Sequence, residues 1–163
     1  MANTLSVWKF DSLEGAENAQ QRVVELEKRN LIVVHDAATV SWAPDAKNPQ
    51  TKHLKSLVKK RALGGAFWGM LFGIIFLLPV IGTAIGVATG ALSGAMKEAG
   101  IDDTFVSSVR KSVTPGTSAL FLLTSDAMVE AVAAEFRDLK AQLIETNLDE
   151  EREAALRKAF EDA

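Results

Sequence analysis

The spacing of apolar residues along the chain predicts an alternation of strands and helices on either side of a long apolar run. Leu5 to Phe10, with Val7 and Trp8, reads as a short strand. Ala16, Ala19, Val23 and Leu26 recur at helical spacing and predict a helix from Gly15 to Arg29, with Ser12 as its N-cap and Asn30 as its stop. Leu31 to Trp42 is rich in β-formers (Ile32, Val33, Val34, Val40, Trp42). Asp36-Ala37-Ala38 interrupts it as a turn or bulge, and Pro44 and Pro49 end it. After the apolar run, Gly100 breaks the chain and Asp102 or Asp103 caps a short helix carrying Phe105, Val109 and Val113. Pro115-Gly116 marks a turn. Ser118 to Thr124 is continuously apolar, the pattern of a strand buried on both faces. Ser125 or Asp126 caps a helix from Met128 to Leu139, with Val129, Val132, Ala133 and Phe136 inward, and Ala141 to Thr146 is a further strand. A charged helix from Asp149 to about Phe160 follows, with Leu156 and Phe160 as its bulky apolar contact.

With residues 45–117 set aside, the order is β-α-β-β-α-β, which predicts an α+β fold of the ferredoxin-like type. Residues 1–44 and 118–147 form that domain, 45–61 a basic amphipathic entry, 62–96 an apolar glycine-zipper hairpin inserted between the second and third strands, 97–117 a connector, and 148–163 the C-terminal helix.

The inserted segment has no charged side chain from residue 62 to residue 95. Glycine recurs every fourth residue in two registers, Gly65, Gly69, Gly73 and then Gly82, Gly86, Gly90, Gly94, with Pro79 between them. Residues four apart share one helix face, so each register is a bare stripe where another backbone comes close. Each glycine costs about 1 kcal/mol against alanine in a helix interior, so the pattern points to close helix packing in lipid or in an apolar oligomer core. The two legs are unequal. The first carries Phe67, Trp68, Leu71, Phe72, Ile75, Phe76 and Leu78 and is expected to face lipid. The second adds Ala84, Ala88, Ala91 and Ala95 to its glycines and is expected to pack against other copies. At about 1.5 Å per residue each leg falls slightly short of a bilayer's ~30 Å hydrocarbon core.

Composition adds polarity of another kind. The formal net charge is -3, yet residues 46–97 hold Lys47, Lys52, Lys55, Lys59, Lys60, Arg61 and Lys97 and no acid. Lys55, Lys59, Lys60 and Arg61 stand where the hairpin would leave a bilayer. They are expected to bind anionic headgroups and, by the positive-inside rule, to keep the folded domain in the cytoplasm. The first residues lack the basic-then-apolar pattern of a signal peptide, so membrane contact is expected from the internal segment.

Candidate chemistry is sparse. The chain has no cysteine, which excludes disulfides and thiolate ligands. His35 precedes Asp36, but neighbours on a strand point to opposite faces, and His53 lies among lysines on the expected headgroup-facing surface. No metal-ligand spacing, nucleophile elbow or phosphate loop appears, and no cofactor or enzymatic activity is expected. The basic run lacks interleaved aromatics, so nucleic acid is not an expected partner.

Four features in order carry a resemblance: Val7-Trp8-Lys9-Phe10; Leu57 to Arg61 running into Gly64-Gly65; the paired zipper around Leu78-Pro79; and Gly100-Ile101-Asp102-Asp103 leading to Pro115-Gly116-Thr117-Ser118-Ala119-Leu120-Phe121. Over residues 4 to 147 the chain resembles the domain-of-unknown-function family numbered 1269, predicted membrane proteins. The resemblance implies membrane association and supplies no activity, ligand or catalytic residue. The expectation is a non-enzymatic, self-assembling membrane protein of high-order homo-oligomers: a membrane scaffold, a lipid-containing assembly or a stress-related structure. A membrane-anchored ligand-binding or regulatory module is the alternative. A glycine-zipper pore is a third reading, with only Thr83, Thr89 and Ser93 to line it.

Overall fold

The computed structural model describes residues 3–54, 64–76, 94, 96–97, 100–125, 128–148 and 151. These form an α+β domain with five strands, β1 (Asn3–Phe10), β2 (Val34–Ser41), β3 (Gln50–His53), β4 (Ser118–Ser125) and β5 (Gln142–Leu148). Four helices are described, α1 (Gly15–Lys28), α2 (Gly64–Phe76), α3 (Asp103–Ser112) and α4 (Met128–Glu135), the last followed by a 3-10 turn at Arg137–Leu139. The sheet is antiparallel throughout, in the order β3-β2-β4-β1-β5.

β4 lies at the centre of the sheet because its sequence allows nothing else. Ala119, Phe121 and Leu123 point to one face and Leu120 and Leu122 to the other, and all are buried. On the second face, α1 and α4 bring Ala19, Val23, Leu26, Val129, Val132 and Phe136 down onto Trp8, Phe10, Leu120 and Leu122. On the first face, α2 and α3 cover Leu5, Val7, Val40 and Phe121. The domain is thus three layers, with helices on both sides of one sheet. The first half of the apolar run supplies part of one outer layer.

Local chemistry explains the punctuation. α1 ends at Asn30, in the left-handed region at φ 57°, with Leu31 N–H donating to the Leu26 carbonyl at 2.9 Å and Asn30 N–H to that of Glu27 at 3.0 Å. The helical residues at 94, 96 and 97 stop in the same way at Gly100 (φ 96°), where Ile101 N–H donates to the Met96 carbonyl. Asp102 caps α3 by accepting from Phe105 N–H at 3.0 Å. Pro115-Gly116 forms a turn closed by Thr117 N–H to the Thr114 carbonyl, with Gly116 at φ 90°.

The start of α1 departs from the sequence expectation. Ser12 does not cap it with its side chain. The buried hydroxyl of Ser118, on β4, accepts from Ala16 N–H at 2.9 Å and donates to the Ser12 carbonyl at 2.7 Å. Gly15 is required there, because a Cβ would lie 2.3 Å from that of Phe10. A second difference is β3. Gln50–His53, read as the start of the basic entry, pairs with Ala38–Ser41 as an edge strand. Residues 55–63 lie outside the described set, as does the C-terminal helix apart from the helical Glu151.

Candidate functional site

The polar residues of greatest interest sit beneath α2, where a bulge in β2 turns a carboxylate inward. Val34 pairs with Thr124 and Asp36 with Leu123, so His35 is the extra residue. In a regular strand Asp36 would share the face of Val34; the bulge moves it to the face of Ala38 and Val40, beneath α2. Asp36 is 0 % exposed. His53 stands opposite Ala38 and therefore on the same face. Its Nε2 lies 2.7 Å from Asp36 Oδ1, which also accepts from Ala37 N–H at 2.9 Å. Trp68 of α2 closes over this pair, its ring 6.1 Å from the imidazole. His53 Nδ1 and Trp68 Nε1 are both buried and have no hydrogen-bond partner among the described residues.

α2 has two contrasting sides. Trp68, Phe72 and Phe76 recur at four-residue spacing and form a ladder in which Trp68 and Phe72 both meet Phe121 edge-on, at 6.0 and 5.1 Å. Trp42 closes the far end against Phe76 at 5.9 Å. The other side carries Gly69, exposed, with nothing among the described residues within 4 Å of where its Cβ would be. The C-terminal end of α2 is held by Arg110 of α3, whose Nε donates to the Ile75 carbonyl at 2.8 Å and whose Nη2 donates to that of Ile74 at 2.7 Å. A helix continuing past Ile75 would satisfy that carbonyl from residue 79, which is proline and has no N–H. The guanidinium supplies the missing donor.

The model of the family described as protein of unknown function (DUF1269) matches residues 62–161, more than half of the chain. The chain belongs to this family. No curated protein and no solved structure matches it. The DUF1269 match takes in α2, α3, β4, α4 and β5, and so includes Trp68, Arg110 and Ser118. Strands β1 to β3, with Asp36 and His53, precede it.

Against this geometry the expected site residues divide sharply. Phe67, Trp68, Leu71, Phe72, Ile75 and Phe76, expected to face lipid, are buried in the core over the sheet, which corrects that assignment. The reason is that an apolar helix adjoining a sheet with an uncovered apolar face gains most by covering it. Leu78 lies outside the described residues. Of the packing glycines, Gly65, Gly69 and Gly73 are in α2, and Gly94 is helical and exposed with open space at its Cβ position. Gly82, Gly86, Gly90, Ala84, Ala88, Ala91 and Ala95 fall outside the described residues, as do Lys55, Lys59, Lys60 and Arg61. His53, expected on a headgroup-facing surface, is instead packed inside against Asp36, because its place in β3 fixes its direction.

The opposite face of the sheet carries a polar cleft of about 500 Å³ between α1 and the β2–β3 edge. Glu17, Gln20, Thr39, Ser41, Gln50 and Lys52 line it, with Leu13 and Ala16 as its apolar part. Nearby, Arg22 of α1 grips Asp138 through two hydrogen bonds at 2.8 and 2.6 Å. These bonds hold the Asp138 carboxyl below the usual carboxylate range and raise the Arg22 guanidinium further. Among the described residues no cluster of three or more metal-capable side chains occurs, and no helix is long and apolar enough to cross a membrane; α2 spans thirteen residues, about 20 Å.

Proposed function

We propose that this chain is a non-enzymatic, self-assembling, membrane-associated protein. In this reading the folded domain is ferredoxin-like and lies on the cytoplasmic side, and the glycine-bearing side of the apolar segment meets other copies within or against lipid. One observation carries the proposal. Gly69 stands in the middle of α2, exposed, where a Cβ would meet nothing. No steric demand among the described residues calls for glycine there, yet glycine costs about 1 kcal/mol relative to alanine in a helix interior. A second helix approaching closely along Gly65, Gly69 and Gly73 would give that cost a purpose.

The orientation of α2 changes the part expected of the first leg. Its aromatic side is spent inside the domain, so its bare side, followed by the charge-free sequence to residue 95, is what remains for association. The ferredoxin-like reading draws support from the order β2-β4-β1-β5, with α1 and α4 on one face and β3 as an added edge. The membrane and cytoplasmic readings draw on the basic run at residues 55–61, by the attraction of lysine and arginine to anionic headgroups.

The test is Gly69→Leu, examined by sedimentation in mild detergent and by flotation on liposomes with and without anionic lipid. The expected result is a smaller assembly from a domain that remains folded, because residue 69 opens outward. An unchanged assembly size overturns the interface, and a parent protein that stays at the bottom of the gradient with every liposome overturns the membrane part.

A ligand-binding or regulatory module is the second reading, favoured by the cleft beside α1. Among the described residues the side chains of Glu17, Gln20 and Lys52 there are not committed to hydrogen bonds or ion pairs. Saturable thermal stabilisation by a small polar compound, abolished in Lys52→Ala, is the result that would establish it.

A further inference from the structure

We propose that His53 and Trp68 form an internal site for one hydroxyl-bearing molecule, a water or a small alcohol, which joins α2 to the β2–β3 pair. The chemistry begins at Asp36. A buried carboxylate is an acceptor only, so His53 Nε2, at 2.7 Å, is the nitrogen that carries the proton. In neutral imidazole the proton on Nε2 leaves Nδ1 as a lone pair, an acceptor. Trp68 Nε1–H is a donor and nothing else. An acceptor and a donor are thus buried on neighbouring rings, the side chains 10 % and 1 % exposed, and both are without a partner among the described residues.

The two orphans select their ligand by type. A metal ion would be repelled by the indole N–H, and an ammonium group has nothing with which to accept from it. A carboxylate has no proton to give to Nδ1. A hydroxyl does both: its oxygen accepts from Trp68 and its hydrogen is donated to His53. Among the described residues the walls beside the indole are aromatic, with Phe67 and Phe72 centred 5.1 and 5.7 Å from the Trp68 ring and Phe121 edge-on beside it. The resulting chain, Asp36 to His53 to hydroxyl to Trp68, also fixes the rotation of α2. Residue 69 follows Trp68 by about 100° around the helix, so anchoring the indole inward helps set the glycine side outward.

The experiment is nuclear magnetic resonance on the full-length, ¹⁵N-labelled chain, with Trp8 and Trp42 as internal references. Their indole N–H groups donate to Ser6 Oγ and the Ala46 carbonyl at 2.9 and 3.0 Å. The expected result is a cross-peak between water and the Trp68 indole proton, with the sign of a long-lived contact, together with an imidazole signal from His53 showing hydrogen on Nε2. Trp68→Phe assigns the indole signal and should abolish the cross-peak. A methanol titration separates the two sources. A saturable shift confined to Trp68 and His53, displacing the water cross-peak, identifies a small alcohol as an accepted occupant; a retained cross-peak with no shift assigns the site to water. An indole proton that meets neither water nor methanol, or a His53 ring that carries hydrogen on Nδ1, overturns the proposal without depending on a variant that has to fold.

Discussion

The two faces of the central strand are built from the same kind of residue but closed in different ways. Leu120 and Leu122 lie under α1 and α4, where the enclosed Ser118 hydroxyl and Trp8 indole N–H each have a hydrogen-bond partner. Ala119, Phe121 and Leu123, one residue out of step, lie under α2 and α3, where the apolar contacts surround a buried carboxylate, an imidazole and an indole N–H. The first face is a core in the ordinary sense. The second is a core with a polar inclusion, covered by a helix whose outer side exposes Gly69. Burial alone therefore does not mark a layer as purely structural. The distinguishing signs are enclosed polar atoms without a partner among the described residues and an exposed glycine in the covering helix.

The contrast is most directly tested at Phe121, which both Trp68 and Phe72 contact. Phe121→Ala should destabilise the domain by about 3–5 kcal/mol in chemical denaturation, and Leu120→Ala by about 2–5 kcal/mol. Only the Phe121 substitution should change the fluorescence of Trp68 before global unfolding. If both variants do so equally, the two layers are not separable. Arg110→Ala comes next, at about 1–3 kcal/mol, since it strips donors from the Ile74 and Ile75 carbonyls. Its signature is loss of amide-exchange protection in α2, with α1 unaffected.

Ser118→Ala works in the opposite direction, removing a cap from α1 for about 1 kcal/mol and loosening its first turn while leaving α2 protected. The smallest effect belongs to Asp138. Its carboxyl is held below its ordinary range by Arg22, so its contribution is present above the unfolded-state carboxylate pKa and is lost as pH falls through the lower, folded value. Asp138→Asn should therefore differ from the parent at neutral pH and converge with it in acid, in thermal melts across that range. A difference that persists in strong acid would point to a contact other than the ion pair.

Much of the fold is legible in the sequence because it is locally encoded. The spacing of Ala16, Ala19, Val23 and Leu26 gives α1, the unbroken apolar run after Pro115-Gly116 gives β4, and Asn30 and Gly100 stop helices where their left-handed backbone requires it. What escaped is non-local. Gln50-Thr51-Lys52-His53 has no apolar pattern, because an edge strand with three exposed residues is held by main-chain bonds to β2. The Asp36–His53 pair depends on both a bulge and a cross-strand register, and neither is written in the residues next to Asp36. The direction of α2 was hidden for a different reason: a helix without a polar side does not declare which side turns inward. Its candidate site was therefore readable as residues but not as an orientation.

The central position of β4 has a consequence in time. β1 and β2 do not pair with each other; each pairs with β4, which ends about fifty residues after α2 does. At synthesis rates of roughly 5–20 residues per second, the aromatic ladder of α2 exists for about 2–10 s before the strand it is built to cover has been made. During that interval the nascent chain displays its most adhesive surface with no sheet to receive it, so whatever meets the emerging polypeptide first, a chaperone or a bilayer, competes with the protein's own unfinished core.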